Sequence, residues 1–425
     1  MLIFVDLDGT LTDTTHPSWA PFRDGQDEVD VSRVKMFFGA REFIRDYKDA
    51  GHTIVMVSDS HPRYVSKFMT LLDLDGIYLA DKPNTLKLNS FIASKPTIQS
   101  LLQDKSQCFF IGDTKLDIET GRRLGILTIL LTQYSVKEEN VNIRDGVGDK
   151  RGNQKMGPTF YAKNFEEVRG ILNNPMGHLP SIEAAFSGFK SEKAIRFSDV
   201  KYRDDSFGII RCLARQEQGA CDQYARADKY FQISNQNRPQ QFLQTLADGV
   251  KFYLDGVLSK RSYTWDLFTY LTDKSTTQPP NKMKEIFDLI DTTVPKQRIF
   301  RWIEQGQGSL RERNLYKERQ EFLNQYLQVE ESASLNGKSI IVLDDQLTTG
   351  ATAFYAIKKL RELGAVNVMV IAMFQMILPV YTGKICPRCG KEMLIKIRRS
   401  DGNRFYSCTP SKFGGQGCGY VENLS

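Results

Sequence analysis

The chain has 425 residues, with 41% hydrophobic and 25% charged side chains, a balance that supplies cores for two or three domains and is ordinary for a soluble protein. Its formal charge is +6, but residues 381–425 hold eight Lys/Arg against three Asp/Glu, so a basic end piece follows a nearly neutral body; nucleic acid is a candidate partner for that end only, the alternative being a solvated basic face. The longest apolar stretch, VMVIAMFQMILPV (368–380), is shorter than a membrane span and carries Gln375, so it reads as a buried strand plus connection. MLIFV is followed at once by Asp6 and Asp8, which does not read as a signal peptide, so the expected compartment is the cytoplasm.

Residues 1–173 alternate strand and helix patterns. LIFVD (2–6), HTIVMVSD (52–59), CFFIGD (108–113) and ILTILLT (126–132) read as buried strands, and GAREFIRDYKDAG (39–51) as an amphipathic helix with a glycine stop. Strands separated by helices imply a parallel sheet covered on both faces. Residues 133–157 are polar and Gly-rich and read as a loop; FYAKNFEEVRGIL (160–172) adds a strand and a final helix, and NNPMGHLP (173–180) a linker. In 181–335 helical patterns dominate, as in QQFLQTLADGVKFYL (240–254) and the charged RERNLYKERQEFLNQYL (311–327). Trp265, Phe268, Tyr270 and Trp302 read as core. Residues 337–380 return to strand, loop, helix, strand, a βαβ unit. Domain boundaries are therefore expected at 1–175, 181–382 and 383–425.

FVDLDGT (4–10) puts Asp6 and Asp8 two residues apart at the carboxyl end of a strand, the edge where open α/β sheets bind ligands. VMVSDS (55–60) puts Ser58 at a second strand end. SKPTIQSLL (94–102) puts Lys95 before a helix-starting proline, and FFIGDTKLD (109–117) puts Asp113 and Asp117 at a third strand end. This set suits phosphoryl chemistry. One carboxylate attacks phosphorus, a second moves the proton, Mg²⁺ screens the clustered charge, and a hydroxyl and a lysine hold the phosphoryl group. Across about residues 1–173 the motifs resemble those of the haloacid-dehalogenase-like phosphatases. The resemblance implies Asp6 as nucleophile, Asp8 as acid/base, Ser58 and Lys95 as phosphate binders, and Asp6, Asp8, Asp113 and Asp117 around Mg²⁺. Lys82, also before a proline, and Lys87 compete with Lys95 for the lysine role. About 30 residues separate Gly9 from the helix near Gly39, too few for a large cap.

IIVLDDQLTTGAT (340–352) is an apolar strand, two acids and a Gly/Thr turn into a helix. Backbone N–H groups and threonine hydroxyls at such a helix start make an anion nest, and Gly350 admits a phosphate close to the backbone. The motif resembles the phosphoribosyl-pyrophosphate (PRPP) loop of type I phosphoribosyltransferases. That implies Asp344 and Asp345 on ribose hydroxyls and Thr348, Thr349, Gly350, Ala351 and Thr352 on the 5-phosphate. IDTTVPKQ (290–297) is the expected pyrophosphate loop.

Cys386, Cys389, Cys408 and Cys418 follow C-x2-C-x18-C-x9-C, a spacing that suits closed tetrahedral Zn²⁺ and lets the metal supply the folding energy of a small module. The segment is similar to the zinc ribbons of type IA topoisomerases, which implies single-stranded nucleic acid as a partner through Arg398, Arg399, Arg404, Phe405 and Tyr406. Cys108, Cys212 and Cys221 read as reduced thiols, and none of the four histidines pairs with a nucleophile.

The fold class expected is α/β: two Rossmann-like parallel-sheet domains, the first like the dehalogenase-type phosphatases and the second like the phosphoribosyltransferases, then a small zinc ribbon. The expected function is a Mg²⁺-dependent phosphatase acting on a phosphorylated sugar or nucleotide, coupled to a domain that uses PRPP or a nucleotide. The alternative is a phosphatase docked on nucleic acid whose second domain is a non-catalytic nucleotide sensor, as in a stress or phage-defence component.

Overall fold

The computed structural model describes residues 1–133, 157–202, 206–216, 222, 224–225, 233, 237–260, 264–273, 282–303, 316–330, 334–377, 381–397, 404–408 and 418–423. The chain forms two compact units, one of residues 1–175, 217–223 and 378–425 and one of residues 176–216 and 224–377.

The first unit is built on a sheet of six parallel strands in the order β3-β2-β1-β4-β5-β6. These are β1 (Leu2–Val5), β2 (Thr53–Ser58), β3 (Asp75–Tyr78), β4 (Cys108–Gly112), β5 (Leu127–Leu131) and β6 (Phe160–Ala162). The helices between them are a one-turn α1 (Ala20–Arg23), then α2 (Ala40–Asp49), α3 (Pro62–Leu72), α4 (Leu86–Ala93), α5 (Pro96–Leu101) and α6 (Lys115–Leu124); α7 (Phe165–Asn173) follows β6. β1, β4 and β5 are buried along their whole length, as expected for strands covered on both faces. Strand order reverses between β1 and β4, and that switch point opens a crevice at their carboxyl ends.

The same unit holds an antiparallel sheet of β15 (Tyr381–Ile385), β16 (Glu392–Ile397), β17 (Arg404–Cys408) and β18 (Tyr420–Asn423). The Arg123 guanidinium on α6 ties it down, reaching Glu392 on β16 at 3.0 Å.

The second unit is organised around a sheet in the order β10-β13-β14-β8-β7. Its strands are β7 (Ile195–Lys201), β8 (Phe207–Cys212), β10 (Leu267–Tyr270), β13 (Ser339–Leu347) and β14 (Asn367–Met376), with the short β9 (Arg215–Gln216) continuing beside β14. Only β7 runs antiparallel. Alternation along the strands feeds two separate cores. Ile341, Leu343, Met369 and Ile371 pack with Leu243, Leu246 and Val250 of α9 (Gln240–Ser259), while Ile340, Val342, Val368 and Val370 pack with Ala353, Ile357 and Leu360 of α12 (Ala351–Glu362). Helix α8 (Ser181–Phe186) is bound to β9 by an ion pair, the Glu183 carboxylate receiving Arg215 N–H at 2.6 Å, Nε at 3.0 Å and a terminal nitrogen at 2.7 Å. The remaining elements are α10 (Lys282–Leu289), β11 (Phe300–Trp302), α11 (Tyr316–Tyr326) and β12 (Leu327–Val329).

Two α/β layers and a cysteine-bearing end piece are thus present as expected. The helical reading of 181–335 is corrected, because six strands interrupt it: β7, β8, β9, β10, β11 and β12. Trp265, Phe268 and Tyr270 are buried, and Trp302 is packed against the second core. Among the described residues no helix is long and apolar enough to cross a membrane. Cys221, Arg398, Arg399 and most of the expected 133–157 loop lie outside the described residues.

Candidate functional sites

The first site is a cluster of buried carboxylates at the β1/β4 switch point. Asp6 follows β1, Asp113 follows β4, and Asp117 lies in the first turn of α6. An oxygen from each comes within 4.8 Å of the others, and all three residues are buried. Asp117 is fixed by a capping box, its Oδ2 accepting from Thr114 N at 3.0 Å and Thr114 Oγ1 at 2.6 Å. Gly112 is obligatory here, since a Cβ in its place would meet the Asp117 side chain at 2.2 Å. Thr10 Oγ1 donates to Asp113 Oδ1 at 3.2 Å.

The cation that enters this cluster is Lys82, with Nζ 2.7 Å from Asp6 Oδ1 and 2.6 Å from Asp117 Oδ1. The expectation of Lys95 is therefore corrected. Lys95 caps α5, is 42% exposed along its side chain, and bonds Asp75 at 3.3 Å. Lys87 is used differently again, donating to the Leu79 carbonyl at 3.1 Å. The turn it braces contains two non-glycine residues in left-handed backbone, Leu79 (φ 49°) and Asp81 (φ 63°), a strained path that delivers Lys82 inward. Asp59 Oδ1 accepts the Lys82 N–H at 3.0 Å and completes the support. β3 is an edge strand, yet the loop leaving its carboxyl end reaches β1; a lysine just past the third strand was the signal to weigh above one at a helix start.

Burial, followed by the neighbouring Asp117, pushes the Asp6 carboxyl well above its ordinary range despite Lys82. Burial alone would depress the Lys82 ammonium, but Asp117, Asp6 and Asp59 together hold it above its ordinary value. One ammonium against three clustered carboxylates leaves the site short of positive charge, and an all-oxygen donor set fits a hard divalent cation.

Asp8 stands apart from that group, which corrects its place among the metal ligands. Its carboxylate is received by hydroxyls: Thr14 at 2.5 Å and Tyr64 at 2.8 Å on Oδ1, and Ser60 at 2.7 Å on Oδ2. Ser58 is buried at the end of β2, and its Oγ accepts the Ser60 N–H at 3.1 Å. Thr14, Ser60 and Tyr64 carried no motif of their own in the sequence.

The second site surrounds Asp344 and Asp345. They lie within β13, which runs on to Leu347 rather than ending at the acids. Asp344 is buried, and burial with Asp345 beside it pushes its carboxyl well above the ordinary range. Lys282, at the start of α10, pairs with Asp345 and lies 4.0 Å from Asp273. Gly350 adopts φ 78° and caps α12; a Cβ there would also meet Phe197 at 2.9 Å. Arg319 on α11 donates to Thr348 Oγ1 at 2.9 Å and Thr349 Oγ1 at 3.5 Å, and Gln320 donates to the Ala351 carbonyl at 2.6 Å. The motif residues Thr348 to Thr352 thus lie together around the start of α12. The expected pyrophosphate loop at 290–297 is corrected. Lys282 at the head of α10 is beside Asp345, and after α10 the chain re-enters alongside β10, with Pro295 accepting from Phe268 N–H at 2.8 Å. Residues 290–294 therefore lie at the amino edge of the sheet, away from the acids.

The four cysteines of the end piece also converge. Cys386 and Cys418 approach to 3.6 Å, Cys389 and Cys408 to 3.3 Å, and all four sulfurs lie within 4.8 Å of one another. Four thiols this close together could hold one metal ion, and an all-sulfur set suits tetrahedral coordination.

No family model and no curated protein matches the chain. Among solved structures it is similar to a predicted phosphoglycolate phosphatase from Haemophilus somnus 129pt, at 14% identity and TM-score 0.29 over 40% of this chain and 96% of that one. D,D-heptose 1.7-bisphosphate phosphatase from B. bronchiseptica, solved with magnesium and phosphate, gives 14% identity and TM-score 0.29 over 41% and 98%. A hypoxanthine phosphoribosyltransferase from Staphylococcus aureus gives 15% identity and TM-score 0.21 over 31% of this chain and 62% of that one. The fold class rests on the strand order and register described above rather than on these scores.

Proposed function

We propose that residues 1–173 form a phosphohydrolase of the haloacid-dehalogenase type that works through an aspartyl-phosphate. The observation that carries this is the convergence of the Asp6, Asp113 and Asp117 carboxylates, with the buried Lys82 ammonium bonded to Asp6 and Asp117. Asp6 attacks phosphorus while the bond to the leaving oxygen breaks, and Asp8 protonates that oxygen. Asp8 then takes a proton from the water that attacks the aspartyl-phosphate, which frees phosphate and restores Asp6. The hydroxyls of Thr14, Ser60 and Tyr64 fix the direction of Asp8. Lys82 and Ser58 hold the phosphoryl oxygens. Mg²⁺, held by Asp6, Asp113 and Asp117, would screen the negative charge gathered there. The test is phosphate release from p-nitrophenyl phosphate, sugar phosphates and nucleoside monophosphates with Mg²⁺. Release abolished by Asp6→Asn and by chelation supports the reading; equal rates in Asp6→Asn sink it.

The second unit, in the same reading, takes a phosphorylated ribose, as PRPP or a nucleotide, and the two activities form one bifunctional enzyme. Asp344 and Asp345 would meet the ribose hydroxyls, and Thr348, Thr349, Gly350, Ala351 and Thr352 the 5-phosphate. The loop geometry at Gly350 supports this. Calorimetry with PRPP and with nucleoside monophosphates checks it, and an absence of heat with either argues against it. The zinc reading of Cys386, Cys389, Cys408 and Cys418 is structural and is checked by metal analysis.

A second reading has its own observations. The Lys282–Asp345 ion pair places a fixed cation on the acidic pair, which favours a nucleotide sensor over a catalyst. Lys384 lies 4.4 Å from the Tyr406 ring and Arg388 5.1 Å from the Tyr420 ring, mixing charge with stacking faces for single-stranded nucleic acid. Binding of a single-stranded oligonucleotide that weakens with salt and with Lys384→Glu/Arg388→Glu supports it. Binding indifferent to both does not.

A further inference from the structure

Helix α11 brings to the start of α12 a side chain that the 340–352 motif does not contain. The two helices lie together. Leu323 and Leu327 are buried in the second core with Ala353 and Tyr355, and the Tyr355 hydroxyl donates to the Leu327 carbonyl. One turn before Leu323, α11 sets Arg319 and Gln320 on the loop that leads into α12. Gln320 Nε2 donates to the Ala351 carbonyl at 2.6 Å. Arg319 donates through one terminal nitrogen to Thr348 Oγ1 at 2.9 Å, and the same nitrogen lies 3.5 Å from Thr349 Oγ1. Burial pushes the Arg319 guanidinium down from its ordinary value, so its charged form gains from an anion beside it.

A threonine hydroxyl has two lone pairs and one proton. Thr349 Oγ1 also accepts the Ala351 N–H, at 3.4 Å, so both of its lone pairs are engaged, and Thr348 Oγ1 has the guanidinium on one of its own. Among the described residues neither hydroxyl donates to an acceptor. Each proton is therefore left to point away from Arg319, and both threonines are partly exposed. A cation behind two hydroxyls makes them a pair of outward donors, a pattern that receives an anion. The other end of the same loop carries the opposite charge, with Asp344 and Asp345 before it and Lys282 paired to Asp345. That polarity orients a ligand: sugar hydroxyls toward the acids, an anionic group toward Arg319.

We propose that Arg319 is a phosphate-positioning residue of the second site: it turns the Thr348 and Thr349 protons outward and supplies the charge that makes this loop prefer a phosphate monoester to an uncharged ribose. This rests on the nucleotide reading of the second unit. The experiment is calorimetry on the full-length protein in an Asp6→Asn background, which stops turnover at the first site. The probes are PRPP, adenosine monophosphate and adenosine. Arg319→Met should weaken PRPP and adenosine monophosphate by roughly tenfold or more, as expected for a lost charge-assisted contact, and leave adenosine within about twofold. Arg319→Lys should keep part of the affinity. Since Arg319 acts through the hydroxyls, Arg319→Met combined with Thr348→Val should lose less than the two single losses added together. Lys358→Met, on the exposed side of α12, should change nothing. Circular dichroism confirms that each variant is folded, and Arg319→Lys carries the comparison if Arg319→Met is not. Phosphorylated probes that bind Arg319→Met undiminished, an equal loss for adenosine, or losses that add in the double variant overturn the proposal while the nucleotide reading stands. No heat with PRPP or adenosine monophosphate in the Asp6→Asn parent overturns the nucleotide reading itself, and this inference with it.

Discussion

Lys82 and Lys95 are both lysines followed by proline, and the fold uses them in opposite ways. Lys82 is buried between Asp6 and Asp117, whereas Lys95 rests on the partly exposed Asp75. Lys82→Ala is expected to lower kcat by about two to three orders of magnitude, the scale of losing one electrostatic group around a reacting phosphoryl. Lys95→Ala should stay within about twofold, since an exposed ion pair contributes little. Comparable losses in the two variants would refute the assignment. Asp273 makes a separate case in the second unit. Burial pushes its carboxyl up to about 6, although it accepts the Met283 N–H at 2.7 Å. A carboxyl raised on folding favours the folded state at low pH, and that contribution is lost as pH rises from about 4 through about 6. Asp273→Asn keeps an acceptor for Met283 and removes the charge. It should therefore stabilise the protein at pH 7.5, by about 2 kcal/mol, while giving no gain near pH 4. Thermal melts of both proteins at the two pH values check this, and a gain of equal size at both would contradict it.

At the level of elements, the strands were legible where burial on both faces makes an unbroken apolar run. LIFV, CFFIG and LTILL needed nothing more than their composition. β7 and β8 were missed for a physical reason. Arg196, Ser198 and Asp199 break the apolar pattern of an antiparallel edge strand, and Arg211 interrupts its neighbour; these polar groups satisfy one another across the ladder, with Arg211 paired to Asp199. Local pattern cannot display such pairing, because it exists only after the strands meet. The carboxylate cluster was legible residue by residue, since each acid ends a strand or opens a helix. The hydroxyls around Asp8 were not, because Thr14 comes from one stretch of the chain and Ser60 and Tyr64 from another, far from it in sequence. The same limit hid Glu183 and Arg215, which meet across 32 residues with both side chains fully buried. Glu183→Ala would strand the guanidinium, and a loss of about 3–5 kcal/mol is expected. Chemical denaturation measures it; replacing both partners together by Leu and Met should recover much of the loss, and a double variant as unstable as Glu183→Ala would contradict the account.

At the scale of the whole molecule, the buried side chains among the described residues of the end piece are few, chiefly Cys386, Met393, Leu394 and Cys408. Its antiparallel sheet is therefore expected to depend on metal. Elemental analysis should find a single zinc per chain. Cys389→Ser should lose it and open residues 381–425 to trypsin, while phosphatase turnover persists. A ribbon that stays protease-resistant without zinc would argue for packing against α6 as its main support. Arg123 would then be the residue to replace, since it holds Glu392 from inside the first unit.

The first unit gathers residues from the start, the middle and the end of the chain, while the second occupies most of the sequence between. Synthesis is directional and domains fold as units. The nascent chain therefore exposes the Asp6 site early, but the last strands that join that unit emerge only after the whole second unit has been translated. A ribosome stalled past residue 377 would release a chain with a finished second unit and an unfinished first one. Assembly of this protein is thus a bracket that opens with β1 and closes with β18.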